Sequence, residues 1–266
     1  MGVDPLQQPM GMAMEARRPK ICLRDIDVRF GALQVLHGLS LDVREGEVFA
    51  IIGQSGCGKS TLLNVIAGFV VPNAGVVTVD DQPVVGPGPD RVMVFQEDAV
   101  FPWATVRRNV EYALRLRGVK SEIRQQRGDS ILDLVSLTDH AEFWPRQLSG
   151  GMKKRVDLAR ALAADPEVVL MDEPYAALDQ FTKERLQHQF LQIMHAEKIS
   201  TQATMTAVFV THDIEEAIYV GDRIGIMTNG AVSEIVDGPL PHPRTLDMKL
   251  APEIQALRRD LVGRLR

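Results

Sequence analysis

The feature that most constrains this fold is a glycine-rich loop that joins an apolar segment to a helix-forming one. The apolar segment, Val48–Ile52, is typical of a buried strand, and the residues after the loop favour a helix as far as Ala67. The loop reads Gly53, Gln54, Ser55, Gly56, Cys57, Gly58, Lys59, Ser60 and Thr61. This is the phosphate-loop pattern, in the strand, loop and helix context that gives the pattern its meaning.

The chemistry of this loop is anion binding. Its glycines let backbone N–H groups turn towards an anion, and the following helix adds the positive end of its dipole. Lys59 is placed to reach the β and γ phosphates of a nucleotide, and the Ser60 hydroxyl to ligate a Mg²⁺ that bridges them. The other interpretation is a glycine-rich turn with an exposed lysine. Because a strand and a helix flank the loop, the sequence predicts a nucleotide site.

Composition indicates the class of protein and its compartment. The chain is 45% hydrophobic, enough for a substantial core, and its 266 residues allow one large domain or two small ones. A net charge of −5 and no long basic run argue against a nucleic-acid partner. No apolar run is long enough to cross a bilayer, and the N-terminus lacks the apolar core of a signal peptide. With two cysteines, Cys22 and Cys57, a cytoplasmic protein is expected.

The sequence of the first 43 residues indicates a leader followed by a hairpin. Residues 1–19 contain four methionines among Gly, Pro and Gln without periodicity, which is typical of a disordered leader and leaves the true start open. Alternating segments at 21–30 and 39–43 predict two antiparallel strands. Phe30 ends the first of them, where an aromatic ring could either stack on adenine or pack in the core.

Polar side chains follow three further apolar segments that we expect to be parallel strands. Gln96 follows the first, Asp172 and Glu173 the second, and His212 the third. The carboxyl ends of parallel strands meet at one edge of a sheet, where ligands bind. In a phosphate-loop ATPase the first acid supports Mg²⁺ through water, and the second can accept a proton from the attacking water. The other interpretations are a solvated acidic turn and a histidine that only makes structural hydrogen bonds.

A helical insert interrupts the succession of strands. No strand-like alternation occurs over residues 97–147, and helices are predicted near 105–117 and 121–135. Ser149 then follows as a good N-cap, and the two glycines after it leave first-turn amides open. The sequence therefore offers a second anion-binding helix start, although an ordinary capped helix has the same pattern.

Together these motifs resemble, in order and spacing, those of the ATPases of ATP-binding cassette (ABC) transporters. The resemblance covers about residues 21–240. The matching motifs are Gly53–Thr61, Gln96, Leu148–Met152, Leu170–Glu173, Ala177–Asp179 and His212. Met152 after the Leu-Ser-Gly-Gly sequence, together with residues 94–97 and 101–103, is similar to the branch that serves nitrate, taurine and alkanesulfonate importers.

The resemblance implies the fold. It is an α/β fold in which a P-loop NTPase core with a mainly parallel sheet carries an N-terminal antiparallel β-subdomain and an inserted α-helical subdomain. The ATPase domain is expected over residues 20–240 and the helical subdomain over about 97–156. Asn229-Gly230 predicts a hairpin. Residues 241–266 are expected to form a proline-containing linker and a helix.

Roles for single residues, and ATP with Mg²⁺ as the expected cofactors, also follow from the resemblance. Phe30 would stack on adenine, which favours that role over a place in the core. Gln96 would contact Mg²⁺ or the attacking water, and Asp172 would support the metal. Glu173 would act as the general base, and His212 would contact the γ-phosphate.

The resemblance further implies partners. The signature consists of Ser149, Gly150, Gly151 and Met152. In a head-to-tail homodimer it would reach the γ-phosphate of ATP on the other copy's phosphate loop, and Asp179 belongs to the loop that links the two sites. The dimer would dock on integral membrane permeases at the cytoplasmic face of the membrane and work with a solute-binding protein.

Three other functions are weighed against an importer ATPase. Lys153-Lys154 stands where Arg-Gln is more usual and resembles phospholipid-trafficking cassettes. Cassette ATPases of DNA repair insert coiled coils or zinc modules, whereas residues 59–172 contain no sustained heptad and no cysteine cluster. A non-catalytic nucleotide sensor would be expected to lack Glu173 or His212. We therefore expect ATP hydrolysis in an importer, with the solute left open.

Overall fold

The computed structural model describes residues 17–97, 99–176, 178–195 and 205–265. The expected leader at 1–19 lies almost wholly outside these residues, and so does Ala177 of the loop around Asp179. Within the described ranges, no helix has both the length and the apolar character needed to span a bilayer.

An antiparallel sheet forms the first layer. Its strands, in spatial order, are β2 (Leu33–Arg44), β1 (Pro19–Phe30), β4 (Ala74–Val79) and β5 (Gln82–Pro83). The predicted hairpin is confirmed, but its second strand begins six residues earlier than the alternation indicated. The reason is the tight turn at Gly31, whose φ of 60° brings Leu33 directly opposite Phe30.

A mainly parallel sheet forms the second layer. Its strands, in spatial order, are β10 (Ala231–Asp237), β9 (Arg223–Thr228), β3 (Val48–Gly53), β8 (Thr206–Thr211), β7 (Val168–Asp172) and β6 (Arg91–Val94). Only the β9–β10 pair is antiparallel. Its turn is the predicted Asn229-Gly230, and both residues have the positive φ that a tight hairpin turn needs. Strands β3, β7 and β8 are buried along their whole length, which explains their continuous apolar sequences.

Besides the short 3₁₀-helices Thr138–His140, Pro145–Gln147 and Leu246–Leu250, eight α-helices complete the described part of the fold. They are α1 (Lys59–Ala67), α2 (Val106–Val110), α3 (Tyr112–Leu116), α4 (Ser121–Leu134), α5 (Gly150–Ala163), α6 (Gln180–His195), α7 (Ile214–Val220) and α8 (Pro252–Arg264). The helical stretch predicted near 105–117 is confirmed, and it is divided at Glu111 into α2 and α3. The ψ of Glu111 is −6°, although hydrogen bonds to the fourth residue back continue across the junction.

Three apolar clusters hold these layers together. One lies between the parallel sheet, α6 and α8, with Phe190 and Leu261 fully buried in it. The second fills the space between the two sheets around α1, and the third is the core of the helical insert. The residues after 240 are therefore packed onto the domain, because α8 supplies part of the first cluster. The result is a three-part α/β architecture of the kind expected for a P-loop NTPase with two added subdomains.

Candidate functional site

The glycine-rich loop connects the end of β3 to the start of α1, as the sequence predicts. Gly58, the N-cap of α1, has a φ of 106°, and a Cβ there would lie 3.0 Å from side-chain atoms of Leu36 and Met227. A Cβ on Gly53 would lie 2.5 Å from the Met227 carbonyl oxygen. Both positions therefore require glycine. No side chain caps the first turn of α1, which leaves its N–H groups to an anion.

Lys59 lies under this loop with only 8% of its surface exposed. Its Nζ donates hydrogen bonds to the carbonyl oxygens of Gly53 at 2.8 Å and Gln54 at 2.9 Å. The Cys57 sulfur lies 3.9 Å from the same nitrogen. These acceptors are neutral, so the ammonium group brings a positive charge to the loop, and that charge also acts on the Asp172 carboxyl. A phosphate is the natural partner for that charge.

Ser60 and Asp172 are brought together from α1 and the end of β7. The Ser60 side chain hydrogen-bonds to the Asp172 carboxylate, which is 7% exposed. Burial raises the pKa of Asp172, and the charge of neighbouring Glu173 adds to this effect, whereas the bond from Ser60 opposes it. A hydroxyl and a buried carboxylate side by side form an oxygen set suited to Mg²⁺, and a cation there would offset the cost of burying the carboxylate.

Glu173 adopts a backbone conformation that is rare for its residue type. Its φ is 46°, and its N–H donates a hydrogen bond to the Val210 carbonyl oxygen at 3.0 Å. The left-handed region costs of order 1 kcal/mol for a residue with a Cβ, and such residues concentrate at functional sites. Here the turn directs the carboxylate away from the strand that ends at Asp172.

Two other predicted residues lie against the Glu173 carboxylate. Its Oε1 lies 3.1 Å from Nδ1 of His212, and its Oε2 accepts a long hydrogen bond of 3.4 Å from Nε2 of Gln96. They meet because β6, β7 and β8 are parallel neighbours in the sheet, so that their carboxyl ends share one edge. The His212 side chain is 65% exposed, which leaves the group open to a ligand.

The Ser149 region begins α5 in the way that the sequence predicts. The Ser149 hydroxyl caps the helix by accepting a hydrogen bond from the Met152 N–H at 3.3 Å. Nothing lies within 4 Å of a Cβ built on Gly150, whereas one built on Gly151 would meet Leu178 at 3.0 Å. The start of the helix is therefore accessible. Among the described hydrogen bonds, none joins its amides to the phosphate loop of the same copy.

Two predicted residues lie at the margins of the site. Phe30 ends β1 with 52% of its surface exposed, so it is not a core residue, and no described ring contact joins it to the loop. Asp179 accepts a hydrogen bond from the Thr182 N–H at 3.0 Å, and bonds to Thr182 lower its pKa. Asp179 thus has a local role at the start of α6.

Sequence reasoning missed the part played by Lys154. It is 5% exposed, and its Nζ donates hydrogen bonds to the carbonyl oxygens of Phe95 and Gln96. Nothing in the sequence pattern indicated this contact, because Lys154 and Gln96 are separated by the helical insert.

Comparisons with known proteins agree with this geometry. The family described as ABC transporter matches residues 36–176. A putative ATP-binding protein of Brucella abortus is 44% identical over 243 residues, which cover 91% of this chain and 91% of that protein. A nitrate import ATP-binding protein of Synechococcus elongatus is 43% identical over 80% of this chain and 78% of its own length. The solved structure of a dimeric ATP-binding cassette in a post-hydrolysis state with ADP and Pi is 31% identical, with a TM-score of 0.72, and covers 83% of this chain and 100% of that one.

Proposed function

The chain belongs to the ABC transporter family, and on that premise we propose that it is the ATP-hydrolysing subunit of an importer for a small solute of the nitrate, sulfonate or taurine type. The observation that carries the proposal is the meeting of Gln96, Glu173 and His212 at the sheet edge next to the phosphate loop. The name of the Synechococcus elongatus relative supports import and an anionic solute. ATP hydrolysis by this chain would drive transport of the solute through separate permease chains.

The chain's own residues divide the chemistry between them. Lys59 and the open start of α1 bind the phosphates of ATP. Glu173 takes a proton from water as the water oxygen bonds to the γ-phosphorus and the bond to the ADP oxygen breaks. His212 orients the Glu173 carboxylate through Nδ1, and its Nε2 on the other side of the ring would meet the γ-phosphate. Phe30 would carry the adenine ring on its exposed face.

Mg²⁺ is the metal that these residues fit. Ser60 would hold it directly, Asp172 would hold it through water, and Gln96 would contact it or the attacking water. When bound, it neutralises charge on the β and γ phosphates.

The accessible start of α5 supports a head-to-tail homodimer. Ser149 caps α5 only at the Met152 N–H, and the space at Gly150 is open, while the phosphate loop offers a second anion site at Ser60. One nucleotide between two copies would occupy both helix starts. The dimeric cassette with ADP and Pi shows that a relative of this fold assembles as a dimer.

Exposed aromatic residues support docking on a permease. Phe69 and Phe95 lie with ring centroids 6.0 Å apart and are 51% and 40% exposed, and Trp103 is 72% exposed. They lie in or beside the stretch that carries Gln96, called here the Gln96 segment (residues 95–97 and 99–101). A permease segment seated on them would therefore touch the part of the chain that carries Gln96. The proposed location is the cytoplasmic face of the membrane, with a solute-binding protein in the same system.

The rival functions have less support. Lys154 donates hydrogen bonds to the main-chain oxygens of Phe95 and Gln96, so a contact within the fold accounts for this lysine without a lipid substrate. In the described helical insert the longest helices, α4 and α5, have 14 residues each, which is too short for the coiled coils of DNA-repair cassettes.

Glu173→Gln tests the proposed ATPase chemistry. The amide keeps the shape of the carboxylate but cannot take a proton, so we expect ATP binding to persist and turnover to fall at least about a hundredfold. Glu253→Gln, in the exposed first turn of α8, is the matched control and should hydrolyse ATP normally. Near-normal turnover by Glu173→Gln would remove Glu173 from the role of base.

A further inference from the structure

The signature helix α5 is tied to the Gln96 segment by a buried lysine. Lys154 lies five residues after Ser149, and its Nζ donates to the main-chain oxygens of Phe95 and Gln96, the latter at 3.0 Å. With 5% of its surface exposed, the lysine has little access to water. These carbonyl oxygens therefore supply hydrogen bonds that the buried ammonium group needs.

Two further side chains on the same face of α5 continue the contact. Asp157 Oδ2 accepts a hydrogen bond from the Ala99 N–H at 2.7 Å, and Arg160 donates to the Ala99 carbonyl oxygen. The Arg160 guanidinium also lies 4.1 Å from the centroid of the Phe101 ring. Lys154, Asp157 and Arg160 are spaced by three residues and therefore share one side of the helix. The segment after β6 is thus attached to α5 over about two helical turns.

The Gln96 side chain has little else to hold it in place. It is exposed, and its described hydrogen bond to Glu173 is long, at 3.4 Å. Its position therefore depends on the main chain that carries it. Lys154 fixes that main chain at Gln96 itself and at the residue before it.

We propose that Lys154 is a positioning residue that couples the signature helix to Gln96 in the same copy. By holding the main chain at Phe95 and Gln96 against α5, Lys154 keeps the Gln96 side chain beside Glu173. The inference rests on the proposed function, since it assigns Gln96 to the site of hydrolysis. The positive charge of Lys154 also acts on Asp172, where burial raises the pKa of the carboxyl and Lys154 lowers it.

Lys154→Met is the test, because methionine keeps the length of the side chain and removes the donor and the charge. Misplacing Gln96 should lower kcat about tenfold to a hundredfold, while the Kd of a fluorescent ATP analogue stays within about twofold. Lys120→Met removes the same charge at an exposed position just before α4 and serves as the control, with near-normal kcat expected. Equal losses in the two variants, or a normal kcat in Lys154→Met, would overturn the proposal.

A double-mutant cycle separates positioning from a general structural role. If Lys154 acts through Gln96, then Lys154→Met should lower kcat no further in a Gln96→Ala background, whereas multiplied effects would contradict the coupling. Where Lys154→Met proves too unstable to assay, Lys154→Gln, which retains one amide donor, is used in the same cycle. Its loss of kcat should be smaller, and it should likewise be absent in the Gln96→Ala background.

Hydrogen exchange provides a readout that does not depend on catalysis. In Lys154→Met the amides of residues 92–101 should exchange faster, while those of the phosphate loop, 53–61, exchange as in the wild type. Unchanged exchange over 92–101 would overturn the proposal. A wild-type chain with neither ATP binding nor hydrolysis would overturn the proposed function instead, and the exchange measurement would still decide whether Lys154 holds this segment.

Discussion

Glu173 shows how a single residue is prepared for its role. Its identity and its place after a buried strand can be predicted from the sequence, because a buried strand accommodates acidic residues only at its end. Its φ of 46° and its contact with Nδ1 of His212 are not readable, since both depend on the turn after β7 packing against the end of β8. Local pattern predicts which residue acts, and tertiary packing decides how the residue is aimed.

Cys57 offers a second prediction at this scale. Its sulfur lies 3.9 Å from Nζ of Lys59, inside the loop that is proposed to hold the phosphates. Alkylation with a maleimide adds bulk there, so ATPase activity should fall to a few per cent of the starting rate, and Mg-ATP should slow the loss. The measurement is residual ATPase activity against time of treatment.

The other thiol is an internal control for this experiment. Burial raises the pKa of Cys22, and a hydrogen bond with Asp42 raises it further, so Cys22 is mainly protonated near neutral pH and reacts slowly. Cys57→Ala should therefore remain active and resist the maleimide. If Cys57→Ala is inactivated as fast as the wild type, the loss comes from another residue.

At the scale of elements, a buried cluster around Asp222 anchors the residues after β10 to the sheet. Asp222, 6% exposed, accepts hydrogen bonds from the Val48 N–H at 2.9 Å and from Arg244 at 2.5 Å, and pairs with Nε2 of His242 at 2.7 Å. Arg244 also donates to the Tyr219 carbonyl oxygen at 3.0 Å. The cluster joins the start of β3, the end of α7 and the segment that leads to α8.

Arg244→Met should destabilise the fold strongly. It leaves the buried Asp222 carboxylate without its cationic partner, and breaking a buried pair in this way costs about 3–5 kcal/mol in the free energy of unfolding. Arg258→Met breaks the exposed pair between Arg258 on α8 and Glu215 on α7, and it should lower the free energy of unfolding by less than about 1 kcal/mol. Denaturant unfolding of both variants measures the difference, and equal stabilities would contradict the proposed anchor.

The same cluster predicts a dependence of stability on pH. Burial tends to raise the pKa of Asp222, but the bond from His242 and the charge of Arg244 outweigh it, so the pKa in the folded state lies below the ordinary value. A depressed pKa contributes stability above the unfolded value of about 4, and that stability is lost as pH falls through the folded pKa. The free energy of unfolding of Arg244→Met should therefore fall less than that of the wild type as the pH is lowered from about 4. A parallel loss in both proteins would exclude Asp222 as its source.

Elements were predicted well where local periodicity decides them and less well where distant contacts do. The phosphate-loop helix, the Ser149 cap and the Asn229-Gly230 hairpin follow from short-range rules and are confirmed. The early start of β2 at Leu33 depends on pairing with β1. The contact of Gln54 Nε2 with the Leu265 carbonyl oxygen, 2.7 Å long, joins positions 211 residues apart and has no local signal.

At the scale of the whole molecule, the order of strands creates the site. β3, which carries the loop, lies beside β8, and β7 and β6 follow, so the loop, His212, Glu173 and Gln96 share one edge. The sequence predicts parallel strands with polar ends but not their lateral order. The sequence also gives no indication that α5 side chains hydrogen-bond to the main chain of the Gln96 segment, because the two are separated by the helical insert.

In the proposed head-to-tail homodimer each active site is shared by two copies of the chain, and mixing two inactive variants tests this sharing. Lys59→Ala disables the phosphate loop, and Ser149→Arg blocks the start of α5. In a mixed dimer one site joins both defects, and the other combines an intact Lys59 with an intact Ser149. Random exchange makes half of the dimers mixed and half of their sites whole, which predicts about a quarter of wild-type activity if sites act independently.

The measurement is the ATPase rate against mixing ratio, with the permease partners present to hold the dimer. If the sites are shared, activity should rise from near zero for either variant alone to a maximum near the equal mixture. Strong coupling between sites would lower that maximum without abolishing it. Activity that never exceeds that of the separate variants, despite demonstrated exchange and an active wild-type control, would contradict the shared site.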